Sequence, residues 1–403
     1  MRILVITAAF PYPLASGGAI RTFGIIHGLH QAGHELTLLS FTDRDISETP
    51  IPAYCEAIHL VPTPQRSKVE RLKTLLLTNQ ADISTRFKST DFEQKLRDLL
   101  TTQQFDLIQF EAIESVAYLP IARQLQPTAK ICFDTFNAEY MLQRKIYEID
   151  RTNLKRLPAA LYSYLQINRI ARFEGEMCQL ADCVIAVSDE DAELLKDFRA
   201  DKKIHIMQSG VFVEDYKTVD EKVDLPLNSL VFTGKMDYRP NVDAMLWFTA
   251  EILPHIRARV PDVQLYIVGQ QPSDRLEALT ANENIHITGW VDSTIPYLHE
   301  ATVYVAPLRM GSGTRLKLLE AMSSRCAIVA TTLASAGLHS ETKQGMIVAD
   351  EPEDFANAVV ELLQNQQKRQ YLGEVAQKEV KKRYDWSALI HHLLSAYKDI
   401  GLG

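Results

Sequence analysis

Residues 303–331 constrain the fold more than any other segment, because a strand, a glycine turn, a helix and a second strand follow one another directly. Residues 303–308 form a short, β-branched apolar run, which is typical of a buried strand. Strong helix formers follow the glycines of 311–314. Glycines let the backbone approach a ligand, and a helix start directs free N–H groups towards it. The segment therefore predicts a ligand-binding turn in a parallel α/β sheet.

Two cations, Arg315 and Lys317, occupy the first turn of this predicted helix. The helix dipole favours acidic side chains at that end, so two cations are locally unfavourable unless an anion lies in front of them. Together with the glycine turn, they predict a bound phosphate. A solvated basic turn is the alternative interpretation.

The alternation of strands and helices extends over the whole chain and predicts parallel sheets with helices on both faces. A length of 403 residues suits two domains. The segment 204–216, a strand followed by a loop, is the predicted boundary between two series of strands. These are expected at 2–7, 35–40, 57–61, 107–110, 130–134 and 183–187, and then at 230–233, 263–268, 285–288, 303–306, 327–330 and 345–348.

Charge and cysteine content argue against some classes of function. The net charge of −8 argues against a general nucleic-acid binder. The five cysteines are scattered without a zinc-site spacing, so we expect reduced, buried thiols in a cytoplasmic protein. The acidic run 189–191 predicts a helix start, and we expect no metal site. Residues 144–172 are unusually basic, which predicts either a solvated helix face or peripheral contact with the anionic inner face of a membrane.

Residues 307–322 resemble the donor-binding segment of the family 4 glycosyltransferases, which have the GT-B fold. That family carries two glutamates separated by seven residues, the second followed by Ala-Met. Glu320 matches the second glutamate, whereas Ser312 stands in place of the first, as in a subgroup that lacks it. The resemblance implies that Glu320 binds the ribose of a nucleotide. It also implies that the phosphates lie at Gly313, Thr314, Arg315 and Lys317.

The resemblance continues in register over nearly the whole chain, through residues 17–18, 209–211, 232–241 and 385–387. It implies two Rossmann-like domains whose parallel sheets face each other across a cleft. Residues 1–208 with 385–403 would form the acceptor-side domain, including a returning C-terminal helix. Residues 209–384 would form the donor-binding domain.

The donor site is expected to be assembled from several loops at the carboxyl ends of strands. The resemblance places Gly17 and Gly18 near the diphosphate and the transferred sugar, although a plain turn is an alternative. It places Gly234 and Lys235 near the phosphates. Val291 belongs to the loop at 289–292, which would contact the base through its backbone.

The acceptor side lacks a familiar group of the family, because Phe136 stands where a histidine is expected. Asn137 and Glu139 fit the surrounding pattern. Glu111 and Glu139 each follow a predicted strand and are candidates to bind an acceptor hydroxyl. Ordinary loop acids or helix caps are the alternative for both.

The resemblance implies transfer of a sugar from a nucleotide-diphosphate sugar, UDP- or GDP-linked, to a hydroxyl of a glycan, a lipid-linked acceptor or a small molecule. Retention of configuration is expected, with no cofactor and no metal, because Lys235, Arg315 and Lys317 would stabilise the leaving diphosphate. A non-catalytic nucleotide-sugar binding module, and a hydrolase or epimerase on the same donor, are alternatives. A dinucleotide oxidoreductase is disfavoured, since no G-x-G-x-x-G follows the first strand.

Overall fold

The computed structural model describes residues 1–152, 154–199, 202–218, 221–271, 273–310 and 316–403. The chain divides into two compact units. The N-terminal unit comprises Met1–Ser209 and Leu389–Gly403, and the C-terminal unit comprises Gly210–Ala388. The predicted divisions, after residues 208 and 384, lie one and four residues from these.

Each unit is built on a sheet of parallel strands, as the alternating pattern predicts. Among the described residues, the strands are β1 (Arg2–Thr7), β2 (Glu35–Phe41), β3 (Ala57–Val61), β4 (Leu107–Glu111), β5 (Lys130–Asp134), β6 (Cys183–Ala186), β7 (His205–Ile206), β8 (Ser229–Thr233), β9 (Gln264–Val268), β10 (Ile285–Gly289), β11 (Val303–Ala306), β12 (Ile328–Ala330) and β13 (Met346–Val348).

The helices, with the same restriction, are α1 (Gly17–Gln31), α2 (Lys68–Leu77), α3 (Asp82–Arg86), α4 (Thr90–Thr102), α5 (Ala112–Ser115), α6 (Leu119–Leu125), α7 (Glu139–Asp150), α8 (Leu157–Leu180), α9 (Asp189–Lys196), α10 (Arg239–Trp247), α11 (Leu253–Arg257), α12 (Asp274–Glu277), α13 (Ile295–Glu300), α14 (Leu316–Ser323), α15 (Pro352–Gln364), α16 (Gln366–Arg383) and α17 (Trp386–Asp399). Short 3₁₀ segments and one π segment (Phe248–Ile252) connect several of them.

Both sheets are doubly wound. The strand order is β3-β2-β1-β4-β5-β6-β7 in the N-terminal unit and β10-β9-β8-β11-β12-β13 in the C-terminal unit. Every described strand pair is parallel. The chain order reverses between β1 and β4 in one sheet and between β8 and β11 in the other. In open α/β sheets, ligands bind at the carboxyl ends of strands next to such a reversal.

The central strands are buried on both faces because they carry almost unbroken apolar runs. Residues 3–6 of β1 and residues 230–232 of β8 have no exposed surface, and the flanking helices supply the rest of each core. This is the burial pattern of parallel strands covered by helices on both sides. It explains why periodicity located the strands to within one or two residues.

The sequence predicts the first helix over residues 19–32, after the two glycines, whereas α1 begins at Gly17. The Ser16 hydroxyl accepts a hydrogen bond from the Ala19 amide at 3.2 Å and caps the helix. The predicted turn glycines therefore form the first residues of α1. Their amides lie at a helix N-terminus that follows β1, at the reversal point of the N-terminal sheet.

Candidate functional site

In the C-terminal unit, the residues predicted to bind the donor lie around the reversal between β8 and β11. Gly234 and Lys235 follow β8, and Lys317 and Glu320 lie on α14, which follows β11 in the chain. The predicted phosphate turn precedes α14. Gly311, Ser312, Gly313, Thr314 and Arg315 all lie outside the described residues.

Lys317 is fixed at the end of β8. Its ammonium donates to the Thr233 carbonyl at 2.9 Å and to the Asn241 side-chain oxygen at 2.7 Å. It also lies 4.1 Å from the centre of the Phe232 ring, in a cation–π contact. A positive charge is thus held where the chain leaves β8, at the position that the reversal rule assigns to a ligand.

The turn after β8 depends on two glycines. Gly234 has a φ of +154°, and a Cβ there would lie 2.7 Å from the Asn241 Nδ2 and 2.8 Å from the Lys317 Nζ. Gly269, after the neighbouring strand β9, has a φ of +146°, and its Cβ would lie only 1.8 Å from the Gly234 carbonyl oxygen. Only glycine fits at this crossing of backbones.

Lys235 projects outward from this turn. Its side chain is about half exposed, with the ammonium 3.6 Å from Asp237. Arg309, just before the predicted phosphate turn, forms two hydrogen bonds with Asp243 and lies 5.0 Å from the Trp247 ring. The side chains of Lys235, Arg309 and Lys317 therefore bring cations from three chain segments to the region that follows β8.

Glu320, the predicted ribose ligand, lies one turn after Lys317 on α14. Burial raises the pKa of its carboxyl, while the Lys317 charge and a hydrogen bond from Tyr216 act in the opposite direction. The Tyr216 hydroxyl has a pKa well above its usual value, first because of burial and then because of the Glu320 charge. Tyr216 is held in turn by its carbonyl, which accepts a hydrogen bond from His299 at 2.7 Å.

The predicted base loop follows β10. Gly289 has a φ of +70°, Trp290 is 66% exposed, and Val291 is partly buried against the core of the C-terminal unit. The exposed indole is not a core side chain. The loop therefore presents an accessible aromatic surface beside a partly buried valine.

In the N-terminal unit, the structure brings the glycine turn and the segment after β5 together. A Cβ on Gly18 would lie 2.8 Å from Cε2 of Phe136. Phe136 thus packs its ring edge onto the start of α1, and glycine makes room for it. The side chain that replaces the expected histidine contributes packing here.

Next to this contact, α1 carries a fully buried ion pair. The Arg21 guanidinium binds both carboxylate oxygens of Asp134, at 2.6 Å and 2.5 Å, and donates to the Met207 carbonyl at 2.8 Å. Neither side chain has more than 1% exposure. Asp134 ends β5, so the pair fixes α1 against the carboxyl end of the sheet.

The predicted acceptor candidate Glu111 belongs to the same internal network. It has 0% exposure, and its two carboxylate oxygens accept hydrogen bonds from Gln109 at 2.8 Å and Thr22 at 3.3 Å. Burial, and then the charge of Asp134, raise its pKa well above the ordinary value. The Tyr397 hydroxyl, from the returning helix α17, donates to Gln109 at 2.9 Å. Of the two interpretations of Glu111, this geometry favours the structural one over contact with an acceptor.

Asn137 and Glu139 lie together at the start of α7 and are partly exposed. The Asn137 amide donates to the Glu139 carboxylate at 3.2 Å. Burial, and next the charge of Glu114, raise the Glu139 pKa to about 7. A carboxyl that titrates near neutral pH, at the carboxyl end of a parallel strand, suits general acid–base work.

The same helix start is capped by a second carboxyl. Glu174 accepts hydrogen bonds from the backbone amides of Glu139 and Tyr140, at 2.9 Å and 3.1 Å. Burial raises its pKa to about 8. Asp191 accepts from the Ala138 amide at 3.0 Å. Carboxyls from α8 and α9 therefore fix the loop that carries Asn137 and Glu139.

Among the described residues, no group of three or more His, Cys, Asp or Glu side chains is placed to hold a metal ion. The described cysteines are all free thiols, four of them buried. Over the same residues, no helix has the length and apolar content to cross a bilayer.

Two family models match the chain. Residues 15–215 match Glycosyltransferase Family 4, and residues 228–365 match Glycosyl transferases group 1. Together they cover well over half of the sequence, with one match in each unit. The chain belongs to the family 4 glycosyltransferases.

The relatives of this glycosyltransferase match it over different shares of their length. A phosphatidyl-myo-inositol mannosyltransferase of Mycobacterium tuberculosis is 28% identical over 48% of this chain and 53% of its own length. The match thus spans about half of that relative. A spore coat protein SA of Bacillus subtilis is 20% identical over 98% of both chains.

Solved structures confirm the GT-B fold of this glycosyltransferase. Sucrose-phosphate synthase of Thermosynechococcus elongatus has a TM-score of 0.69 at 18% identity, over 99% of both chains. An Anabaena protein, HepE, solved in complex with UDP, has a TM-score of 0.64 at 12% identity, over 99% of this chain and 100% of its own.

Sequence reasoning missed several residues that shape the site of this glycosyltransferase. Asn241 was noted only as part of a segment resembling the family, although its amide binds Lys317 directly. Tyr216 and Arg21 carried no signal, since their partners lie about a hundred residues away in the chain. Glu174 carried no signal either, because the two backbone amides that it binds lie about thirty-five residues earlier in the chain.

Proposed function

We propose that this glycosyltransferase moves a sugar from a nucleotide-diphosphate sugar, UDP- or GDP-linked, to a hydroxyl acceptor, with retention of anomeric configuration. The diphosphate would lie at Gly313, Thr314 and the cations Arg315 and Lys317, with Lys235 nearby. The ribose would lie at Glu320. HepE, a protein of similar fold, was solved with UDP, which supports a uridine nucleotide as the first donor to test.

One observation carries the proposal: the Lys317 ammonium and the Glu320 carboxyl lie one helical turn apart on α14, the helix after β11. The ammonium is fixed by the Thr233 carbonyl and by Asn241. A fixed cation beside an acid that can accept hydroxyl hydrogen bonds matches a diphosphate linked to a ribose.

The proposed reaction makes one bond and breaks one. The bond from the anomeric carbon to the diphosphate oxygen breaks, and a bond from the same carbon to the acceptor oxygen forms on the same face. The acceptor proton passes to the departing phosphate. Lys317, Arg315 and Lys235 stabilise the negative charge that develops on this leaving group, which is the proposed reason that no metal is required.

On the acceptor side, we propose that Asn137 and Glu139 orient the acceptor hydroxyl, while Gly17 and Gly18 lie near the transferred sugar. Val291 would lie at the base. We further propose a cytoplasmic location, with peripheral contact between an anionic membrane and the basic segment 144–172. The mannosyltransferase relative is named for a lipid substrate, which supports testing lipid-linked acceptors first.

The test begins with the donor. Isothermal titration with UDP and GDP, followed by transfer assays with the corresponding donor sugars, should give measurable affinity for one nucleotide. Lys317→Ala and Glu320→Ala should each weaken it, whereas Lys368→Ala, which removes an α16 lysine paired with Glu361, should not. Unchanged affinity in both site variants would reject the donor assignment.

The same transfer assay tests whether the reaction needs a metal ion and whether Glu139 is catalytic. Transfer should persist in excess EDTA, and full loss that magnesium or manganese restores would overturn the metal-independent proposal. If Glu139→Gln loses turnover as severely as Lys317→Ala while donor affinity holds, Glu139 is catalytic rather than orienting. Donor binding without transfer to any hydroxyl acceptor would instead favour a binding module.

A further inference from the structure

Exposed apolar side chains cluster on the outside of the N-terminal unit. On α8, Leu157, Leu161, Tyr164 and Leu165 are all exposed, and their spacing places them on one face of the helix. Leu161 is 61% exposed, and Leu154, just before the helix, is 85% exposed. The opposite face of α8 is buried in the unit's core.

A second apolar stripe lies on α2, a helix that sequence reasoning did not predict. Val69, Leu72 and Leu76 follow one another at helical spacing, and all are exposed, Leu76 to 68%. The next residue, Leu77, is exposed as well. None of residues 69–77 of α2 is buried, so this part of the helix has a solvent-facing apolar stripe without a core to cover it.

Direct contacts join the two helices. Arg169 on α8 donates to the Leu75 carbonyl of α2 at 3.1 Å. Tyr162 on α8 interacts with Arg71 on α2 and with Asp82. On the other flank of α8, the rings of Tyr164 and Tyr147 of α7 lie 5.5 Å apart. These contacts place α2 next to residues 162–169 of α8, so the exposed stripes of the two helices belong to one surface region of the N-terminal unit.

This surface is basic in a chain that is acidic overall. Residues 66–77 contain four Lys or Arg and one Glu, and residues 144–172 contain seven Lys or Arg and two acids, whereas the whole chain has a net charge of −8. Some of these charges are paired, as Arg71 is with Asp82 and Arg144 with Glu148. Lys73 and Lys145 are exposed.

We infer that α2 and α8 together form a docking face for an anionic lipid membrane. The face consists of Leu72, Leu76, Leu77, Leu154, Leu161 and Tyr164 with the lysines beside them. The inference extends the membrane contact proposed for residues 144–172. It adds α2 to the contacting surface, and it proposes that leucine side chains insert into the membrane. It does not depend on the donor chemistry, so vesicle binding and nucleotide binding can fail separately.

Shape and charge favour a membrane over other occupants. The leucines protrude, as their exposure shows, whereas a partner helix would be held by a concave apolar groove. A second copy of the chain would bring two basic faces together, which like charges oppose. Protruding aliphatic side chains in a basic segment with exposed lysines suit the headgroup boundary of an anionic bilayer, where each Lys or Arg strengthens binding by about fivefold.

A cavity of about 340 Å³ is lined in part by residues of α8, the helix that carries part of this face. Lys88, Arg169 and Arg172 contribute to its lining, together with Glu93 and Glu176. Arg169 and Arg172 belong to α8, so the cavity adds cations to the helix that carries Leu161 and Tyr164.

The test is cosedimentation with vesicles of phosphatidylcholine alone or mixed with phosphatidylglycerol. The parent should bind the mixed vesicles at least tenfold more tightly than the neutral ones, and 0.5 M salt should abolish the difference. The double variant Leu76→Ser/Leu161→Ser should weaken binding to the mixed vesicles at least tenfold, as should Lys73→Gln/Lys145→Gln. Both pairs are exposed, so thermal melts should match the parent.

Matched controls come from the C-terminal unit. Leu227→Ser removes a leucine that is 88% exposed, and Lys378→Gln/Lys382→Gln removes two exposed charges from α16. Both should bind the mixed vesicles like the parent. The inference is overturned if the parent ignores phosphatidylglycerol, or if the leucine pair binds as tightly as the Leu227 control. It is equally overturned if the parent sediments as a dimer that Leu76→Ser/Leu161→Ser dissociates.

Discussion

The Lys317 ammonium donates to the Asn241 side-chain oxygen at 2.7 Å, and the nitrogen of the same amide donates to the Lys235 carbonyl at 2.8 Å. One buried amide therefore joins α14 to the turn after β8. The arrangement needs both halves of the amide, because an ammonium only donates and a carbonyl only accepts. Asn241 thus positions the Lys317 ammonium and also fixes the backbone from which the Lys235 side chain projects.

Replacing this amide should separate its two contacts. Asn241→Asp keeps an acceptor for Lys317 but leaves the Lys235 carbonyl without its donor and adds a negative charge beside the proposed phosphates. We expect nucleotide affinity to fall about tenfold or more, with a stability loss of about 1–3 kcal/mol. Titration calorimetry and urea unfolding measure the two effects. Asn228→Asp, which changes an amide that donates to Asp262, is the matched control and should retain nucleotide affinity.

Gly234→Ala should damage the same site through the backbone. Alanine would have to adopt a φ of +154°, with its Cβ under 3 Å from Asn241 and Lys317. We expect a loss of about 1–3 kcal/mol of stability together with weaker nucleotide binding. Gly33→Ala provides the control, since φ is +79° there but nothing lies within 4 Å of its Cβ. A Gly234 variant with normal nucleotide affinity would contradict the assignment of this turn to the donor site.

The strands could be predicted from the sequence because the signal for each one lies within a few consecutive residues. The strands β1 and β8 are buried on both faces, and a continuous apolar run is enough to predict such a strand. Helix boundaries were less accurate, as at α1, where the Ser16 hydroxyl sets the start. The capping residue sets where the first turn of the helix begins, and the apolar periodicity does not show that position.

The sequence predicts site residues only where a short motif contains them. Glu320 and Lys317 were predicted from adjacent residues, whereas the network around Glu111 includes Arg21 and Thr22, about ninety residues earlier in the chain. A carboxylate at a strand end looks the same in sequence whether a ligand or a buried network faces it. The exposure of the α2 stripe is hidden in the sequence for a related reason, because an exposed apolar helix face has the periodicity of a buried one.

Gly18 and Phe136 should behave as a coupled pair. Gly18→Ala places a methyl group 2.8 Å from the Phe136 ring, so we expect a loss of about 1–3 kcal/mol from overpacking. Phe136→Leu in the same chain should recover part of that loss, because the smaller side chain makes room. A double-mutant cycle by urea unfolding measures the coupling, and strictly additive effects would show that the two residues do not share this space.

Asp134→Asn should be among the most destabilising single substitutions in the N-terminal unit. It leaves the fully buried Arg21 guanidinium without its carboxylate, and breaking a buried pair in this way costs about 3–5 kcal/mol. Glu193→Gln breaks the exposed pair with Lys196 and should cost less than about 1 kcal/mol. Chemical unfolding of both variants checks the contrast, and equal small losses would mean that the buried network tolerates an unpaired arginine.

The carboxyls at the start of α7 predict how stability changes with pH. Burial raises the pKa of Glu139 to about 7 and that of Glu174 to about 8, from an ordinary value of 4.5. Between pH 4.5 and these values the folded protein holds protons that the unfolded chain has released. Stability from these groups is therefore complete below pH 4.5 and falls as the pH rises to about 8, with each carboxyl contributing at most about 1.4 kcal/mol per pH unit.

Glu139→Gln removes one of these titrations without removing the side-chain volume. We expect the fall in unfolding free energy between pH 5 and pH 8 to become smaller, so that the variant is more stable than the parent at pH 8. Glu214→Gln is the control, because its lysine partners lower the pKa of that exposed carboxyl, and it is therefore already ionised above pH 5 in both states. Urea unfolding at pH 5, 6.5 and 8 provides the comparison. If Glu139→Gln follows the pH dependence of the parent, the Glu139 carboxyl titrates in the folded protein as it does in the unfolded chain, and it is not poised near neutral pH for an acceptor proton.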